Sequence, residues 1–482
     1  MIHGTAEKAV RIPALILLFT IAATLEAVHC DSLANVSANS DIWWHLSSGL
    51  WILHNHALPH SGLFSQLSGL PWIASSWAYD LKLAIFYKLF GLASIPVFLM
   101  FFKAALAVLL FLLAGGRRGN FWSAVALSAL AQYILAGVQP TPAYCSILLF
   151  GVELLLLVES RRRGDWRLLF WIPPLVLVWA NLHVQFAYGI ALLALFLAAT
   201  AAAAKLSNRP DQTPGRVSTI AALSLGATFI TPYIYHPWGV FFATTLSPAN
   251  SYLPDFQAPG FRQPQDYLLL LLAMGAFLAL GLRRSRDFFQ ISLLMVCAAL
   301  SFYSQRDIWL VTLAAVAVIG NVQTSEKTSR SRSNPALAAA IISIGILMIA
   351  AVTCIPHHHE ALMTKVARNY PVTASNYIRE HHLPQPMFNA FEWGGFLTWY
   401  LPEYPVAIDG RTDLYGGDFV IEYSKVMNAE TRYTDFPALA NARTILLPRH
   451  AIMAEALSSV PAFKVAYTDD VAVVLTRNAV TE

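Results

Sequence analysis

Apolar runs long enough to cross a bilayer recur along most of this sequence, and they constrain its fold before any motif does. A hydrocarbon core about 30 Å thick is spanned by about 20 apolar residues in helical form. With no water inside the bilayer, a lone segment satisfies its backbone hydrogen bonds there only as a helix. Candidate spans fall at roughly 12–29, 96–114, 120–137, 142–159, 167–182, 185–204, 217–233, 267–283, 288–304, 307–322 and 335–354. Only 12% of the 482 residues are charged and 56% are hydrophobic, whereas a soluble globular protein carries about 25% charged residues. The expected class is a polytopic α-helical membrane protein with about eleven transmembrane helices.

The scattered basic residues, net charge +4, give no nucleic-acid patch, but they do give a topology. Clusters occur at Lys8/Arg11, Arg117/Arg118, Arg161–Arg163 with Arg167, Lys205/Arg209/Arg216, Arg283/Arg284/Arg286 and Lys327/Arg330/Arg332. With the N-terminus cytoplasmic, all of them fall on one side, as the positive-inside rule requires. Segments 30–95, 234–266 and 355–482 are then extracytoplasmic. Leu25–Cys30 is a poor small-residue cleavage site, so the first span reads as a signal anchor. The cysteines, Cys30, Cys145, Cys297 and Cys354, form no CxxC; Cys30 and Cys354 share the outer side, and buried free thiols are the favoured reading.

From about residue 355 the hydropathy falls and the rhythm changes. Short apolar strands, "MFNA", "PVAID", "TILLP", "FKVAY" and "VAVVLT", alternate with helical patterns over 371–381, 416–428 and 450–459. That alternation predicts an extracytoplasmic α/β domain over 355–482, after a transmembrane core over 1–354 and a solvated linker over 323–334. Within the outer segment 30–95, "WAYDLKLAIFYKLFG" has the amphipathic make-up of a helix lying in the membrane interface, with Lys82 and Lys88 snorkelling.

The outer segments also hold the chemistry. In "DIWWHLSSGLWILHNHALPHSGLFS", 41–65, Asp41 stands near the membrane plane among Trp43, Trp44 and Trp51. A carboxylate there can deprotonate a hydroxyl or amine acceptor, while aromatic surface holds a sugar or lipid. The competing reading is an aromatic belt at headgroup level. His45 is one helical turn from Asp41, placed to bond the carboxylate or a phosphate. Asn181 and His183 end a span at the outer side, where polar groups face either a cavity or a partner helix. Arg306 in "SFYSQRDIW" is a cation at an outer boundary, suited to neutralising a leaving phosphate or to pairing with Asp307 or Asp266. Asp409, Arg411 and Asp413 in "AIDGRTDLYGG" follow an expected strand, either as ligand contacts or as an ion-paired turn. His54, His56 and His60 do not share a helical face, and "HHHE", 357–360, reads as a polar membrane exit, so no metal site is assigned. No GxGxxG occurs, which leaves a nucleotide-sugar Rossmann site without support.

These residues carry a resemblance. "DIWWHLSSGLWI", "PHSGLFS" and "GLPWIASSW" resemble the first external loop of bacterial GT-C membrane glycosyltransferase-like proteins, related to oligosaccharyltransferase catalytic subunits and protein mannosyltransferases. "WANLHVQFAYG" (179–189) and "FNAFEWGGFLTWYLPEYPVAIDGRTDLYG" (388–416) agree with it. The resemblance implies a multi-pass bacterial inner-membrane transferase that moves a sugar from a polyprenyl-phosphate donor to a lipid, glycan or protein acceptor outside the cytoplasm. On that match Asp41 takes the catalytic role, while the reading of the residues themselves gives Trp44, His45, Asn181, His183 and Arg306 substrate-binding roles. Gly62 stands where relatives often have an acid, and Ser75 and Ser76 where they tend to have His-Glu. The loop thus lacks the second carboxylate that a divalent cation favours. No cofactor is expected; a divalent cation stays open, with Asp255 or Asp266 as its ligands. A non-catalytic lipid- or glycan-binding assembly subunit and a polyprenyl-linked glycan transporter stay open as alternatives.

Overall fold

The computed structural model describes residues 2–34, 36–116, 120–138, 140–207, 213–323, 335–356 and 358–478. Arg117, Arg118, Arg209, the basic cluster 327–332, most of the expected linker (324–334) and His357 lie outside them. The helices up to the end of the apolar region are α1 (Ile2–His29), α2 (Val36–Asn55), α3 (Trp77–Phe90), α4 (Ser94–Leu113), α5 (Phe121–Ile134), α6 (Ala143–Arg163) and α7 (Ile172–Leu182). They continue as α8 (Phe186–Ser207), α9 (Thr213–Ala227), α10 (His236–Thr245), α11 (Pro264–Leu282), α12 (Phe288–Tyr303), α13 (Ile308–Gln323) and α14 (Pro335–Thr353). A helix stands at every expected span. Among the described residues seven helical segments are long and apolar enough to cross a membrane, and three more are shorter apolar helices.

Local chemistry sets the ends. Asn120 caps α5 by accepting from Trp122 N and Ser123 N, and Asp287 caps α12 while pairing with Arg161 of α6 at 3.0 Å. α6 ends at Gly164 with φ +65°, the left-handed turn that glycine supplies without strain. α13 is the central helix, with every residue from Trp309 to Val318 buried.

After α14 the chain forms α15 (Val372–Glu380), β1 (Met387–Asn389), α16 (Phe391–Tyr400), α17 (Gly417–Met427), β2 (Thr444–Pro448), α18 (Ile452–Ser458), β3 (Phe463–Thr468) and β4 (Ala472–Arg477). The sheet order is β1-β2-β4-β3, with β1 parallel to β2 and the other pairs antiparallel. β2 and β4 carry the apolar runs Ile445–Leu447 and Ala472–Leu475 and are largely buried, as central strands covered on both faces require. β3 carries Lys464 and is mostly open, as an edge strand should be. "PVAID" is not a sheet strand. Its Val406 instead makes an isolated parallel bridge with Ser65 of the outer loop.

That bridge belongs to a longer seam. Gln66 Nε2 donates to Met387 O and Pro405 O, and Thr398 Oγ1 donates to Ser47 Oγ at 3.0 Å. Trp43 of α2 stacks on Trp399 of α16 at 4.8 Å and meets Phe396 and Tyr370 edge-on. One apolar core therefore runs from α2 through the sheet, beside a second core among the apolar helices. The outer segment and the C-terminal segment fold onto each other rather than standing apart.

One face of the helix expected over 77–91 packs inward. α3 buries Tyr79, Asp80, Leu83 and Ala84, and Gly49 of α2 permits the contact, since a side chain there would overlap Asp80 O. Ile85, Phe86, Leu89 and Phe90 stay exposed. Lys82 lies over the Phe98 ring at 4.4 Å, near Cys145 Sγ. No disulfide joins Cys30 to Cys354.

Candidate active site

The helical spacing of α2 sets Asp41, Trp44 and His45 on one face. Trp44, one turn after Asp41, donates its indole N–H to Asp41 Oδ1 at 3.1 Å. The carboxylate keeps an accessible face while lying among dense protein. Burial pushes its pKa above the ordinary 3.8; His45, the indole bond and Arg306 oppose that, and Asp409 adds to it. A carboxylate so placed is a better proton acceptor than one in free solution.

His45 does not bond Asp41. Its ring lies 3.6 Å from that of Trp44, and its Nδ1 sits 2.6 Å from Asp80 Oδ1, with both side chains buried. Among the described residues Asp80 Oδ2 has no partner, and the imidazole is the one side chain that hydrogen-bonds this carboxylate. Sequence reasoning passed over Asp80, although Leu83 and Ala84, three and four residues on, already mark that face of α3 as the buried one.

The C-terminal segment supplies a second wall. Arg411 and Asp409 are enclosed, with guanidinium–carboxylate contacts of 2.6, 2.9 and 3.2 Å. Arg411 also donates to Leu63 O and lies 4.9 Å over Trp72, while Tyr415 donates to Asp409 Oδ2. The ion-paired turn is thus the arrangement found for this pair. Asp413, with an open face, accepts from Trp72 Nε1 at 3.2 Å. Trp72 meets Trp44 edge-on at 6.0 Å. Two indoles in contact therefore hold two carboxylates, Asp41 and Asp413.

The third wall is the segment after α10. Ser304 Oγ and Gln305 Nε2 bond the backbone of Asp255 and Pro254, which sets Arg306 4.8 Å over Phe256. Among the described residues no carboxylate lies within salt-bridge distance of Arg306; Asp307 instead accepts from Tyr188 at 2.9 Å, and Asp266 closes a capping box at the start of α11. Asp255 is raised by burial and by Asp41 and lowered by Arg306, which places the three within electrostatic reach of one another.

His183 is buried, and its Nδ1 lies 2.8 Å from Ser146 Oγ. The charges of Arg306 and His45 both act on it. Asn181 differs. Its amide donates to Leu177 O and Ile230 O and accepts from Trp77 Nε1, so it ties helices together instead of facing the cleft. Asp41 bonds Trp44 and lies within electrostatic reach of His45 and Arg306, as His183 does of Arg306 and His45; Asn181 enters none of these relations. His54, His56 and His60 are exposed, and no group of three or more His, Cys, Asp or Glu is placed to hold a metal among the described residues.

No protein-family profile and no curated protein sequence matches the chain. Solved structures do. ArnT from Cupriavidus metallidurans, bound to undecaprenyl phosphate, superposes with a TM-score of 0.50 at 13% identity, over 99% of each chain. This chain shares the fold of that structure. The archaeal oligosaccharyltransferase AglB from Archaeoglobus fulgidus, solved with an inhibitory peptide and a dolichol-phosphate, matches with a TM-score of 0.49 at 10% identity, over 90% of this chain and 69% of its own. At such identities the likeness concerns the path of the chain. The residues of the cleft rest on their own geometry.

Proposed function

We propose that this protein is a glycosyltransferase that moves a sugar from a polyprenyl-phosphate carrier to a hydroxyl or amine acceptor on the extracytoplasmic face of the bacterial inner membrane. The acceptor oxygen or nitrogen attacks the anomeric carbon, the carbon–oxygen bond to phosphate breaks, and polyprenyl phosphate or diphosphate leaves with the bonding electrons. Asp41 takes the acceptor's proton. Arg306, His45 and His183 steady the departing phosphate, and Trp44 with Trp72 offers aromatic surface to the sugar. In this reading residues 1–354 form the membrane core, 355–482 the outer domain, and the N-terminus is cytoplasmic.

The observation that carries it is an indole-held carboxylate, Asp41, within electrostatic reach of a cation, Arg306, that forms no salt bridge among the described residues. General acid–base catalysis needs the first, and stabilisation of a leaving phosphate needs the second. The ArnT structure that shares the fold holds a polyprenyl phosphate. Mass spectrometry of glycolipids and glycans from a deletion strain tests the proposal. Loss of one glycoform with accumulation of its lipid-linked donor is expected. Unchanged glycans would sink it, and flux of an unaltered glycolipid through proteoliposomes would favour transport instead. A cysteine introduced at Asp418 should react from the outer side of intact cells.

A further inference from the structure

Gly410 sits where the C-terminal segment touches α2. A methyl group built on it would overlap Asp41 Oδ1, with Asp41 Cγ next at 3.1 Å and Trp44 Nε1 at 3.2 Å. The three nearest atoms thus all belong to the proposed base and its indole donor. Gly410 lies outside the left-handed backbone region, so its backbone does not demand glycine. Space does. On either side, Asp409 and Arg411 are fully enclosed and locked to each other, to Tyr415 and to Leu63 O. The glycine between them has little freedom to move away.

We propose that Gly410 is a positioning residue: its missing side chain is the space that the Asp41 carboxylate occupies, and the Asp409–Arg411 clamp presses that space against α2. The C-terminal segment thereby completes the catalytic cleft and sets the direction in which the base points. This rests on the reading of Asp41 as the base. A substitution here pushes on the end of a flexible side chain rather than on backbone, so its cost falls on the orientation of Asp41 and not on the fold.

The test is Gly410→Ala in the full-length protein, assayed with a polyprenyl-phosphate sugar pool and, separately, on the Asp41→Asn background. Misplacing a reacting group by about 1 Å can cost about 10²-fold, so turnover should fall by about 10- to 100-fold. KM for the donor and the melting midpoint should stay at parental values. On the Asp41→Asn background the added substitution should change nothing, because neighbours that act through one another are not additive. A parental rate for Gly410→Ala, an equal further loss on the Asp41→Asn background, or aggregation on size exclusion would each overturn the assignment. Full activity of Asp41→Asn alone would overturn the reading of the base instead, so the two failures are distinguishable.

Discussion

Arg411→Met tests whether the enclosed ion pair holds the C-terminal segment to the outer loop. The substitution keeps an unbranched side chain of similar length and removes the guanidinium from a site where both partners are 0% exposed. Among the described residues Asp409 then retains the backbone N–H of residue 411 at 2.9 Å and the Tyr415 hydroxyl at 3.1 Å. Its charge is left buried without a counter-charge. Removing one member of such a pair typically costs about 3–5 kcal/mol, whereas replacing both is close to neutral. At about 1.4 kcal/mol per tenfold, the locally opened form should rise by a factor between roughly 10² and 4 × 10³. Limited proteolysis of the C-terminal segment in mild detergent reads that population directly when opening is fast. Adding Asp409→Asn should recover at least half of the loss, because the amide still accepts from the backbone and carries no charge. Parental proteolysis rates for Arg411→Met, or a double variant weaker than either single one, would refute the reasoning.

Two further outcomes follow from the same geometry. Asp80→Asn removes the charge beside His45 but keeps an acceptor, so the protein should fold normally and turn over at least about tenfold more slowly, as the roughly 10²–10³-fold cost of losing one charge-stabilising donor allows; an unchanged rate would free His45 from any role. Asp413 is raised from 3.8 to about 6, chiefly by burial and against the opposing pull of Arg411 and the Trp72 bond. The folded state therefore favours its protonated form, and that advantage is lost as pH rises from about 4 through about 6. Relative to Asp413→Asn, the parent should lose melting temperature across that window, and parallel curves would contradict the assignment.

Much of the architecture was legible because apolar length and charge alternation are local signals. Helices stand at all eleven expected places, from α1 to α14. "MFNA", "TILLP", "FKVAY" and "VAVVLT" became β1 to β4, short runs rich in apolar residues, which is a local signal. "PVAID" did not join the sheet because its Val406 pairs with Ser65, a contact that no local pattern announces. Trp44 and His45 were legible beside Asp41 by helical spacing, and Arg306 by its cation at an outer boundary. Asp80 was hidden within an apparently interfacial helix, and Asn181 looked functional because helix–helix hydrogen bonds and ligand contacts use the same residue types. Gly410 could not be found from sequence, since its importance lies in what a distant carboxylate needs.

The most direct measurement is sugar transfer by purified Asp41→Asn. The amide keeps the size of the side chain and its bond from Trp44, but it cannot accept the acceptor's proton. General acid–base catalysis contributes about 10²–10⁴-fold, so transfer should fall by at least about 100-fold while the protein melts as the parent and still binds the lipid-linked donor. Arg306→Ala, by contrast, should weaken donor binding as well. Transfer at the parental rate by Asp41→Asn would contradict the account and leave the outer loop as an aromatic membrane belt.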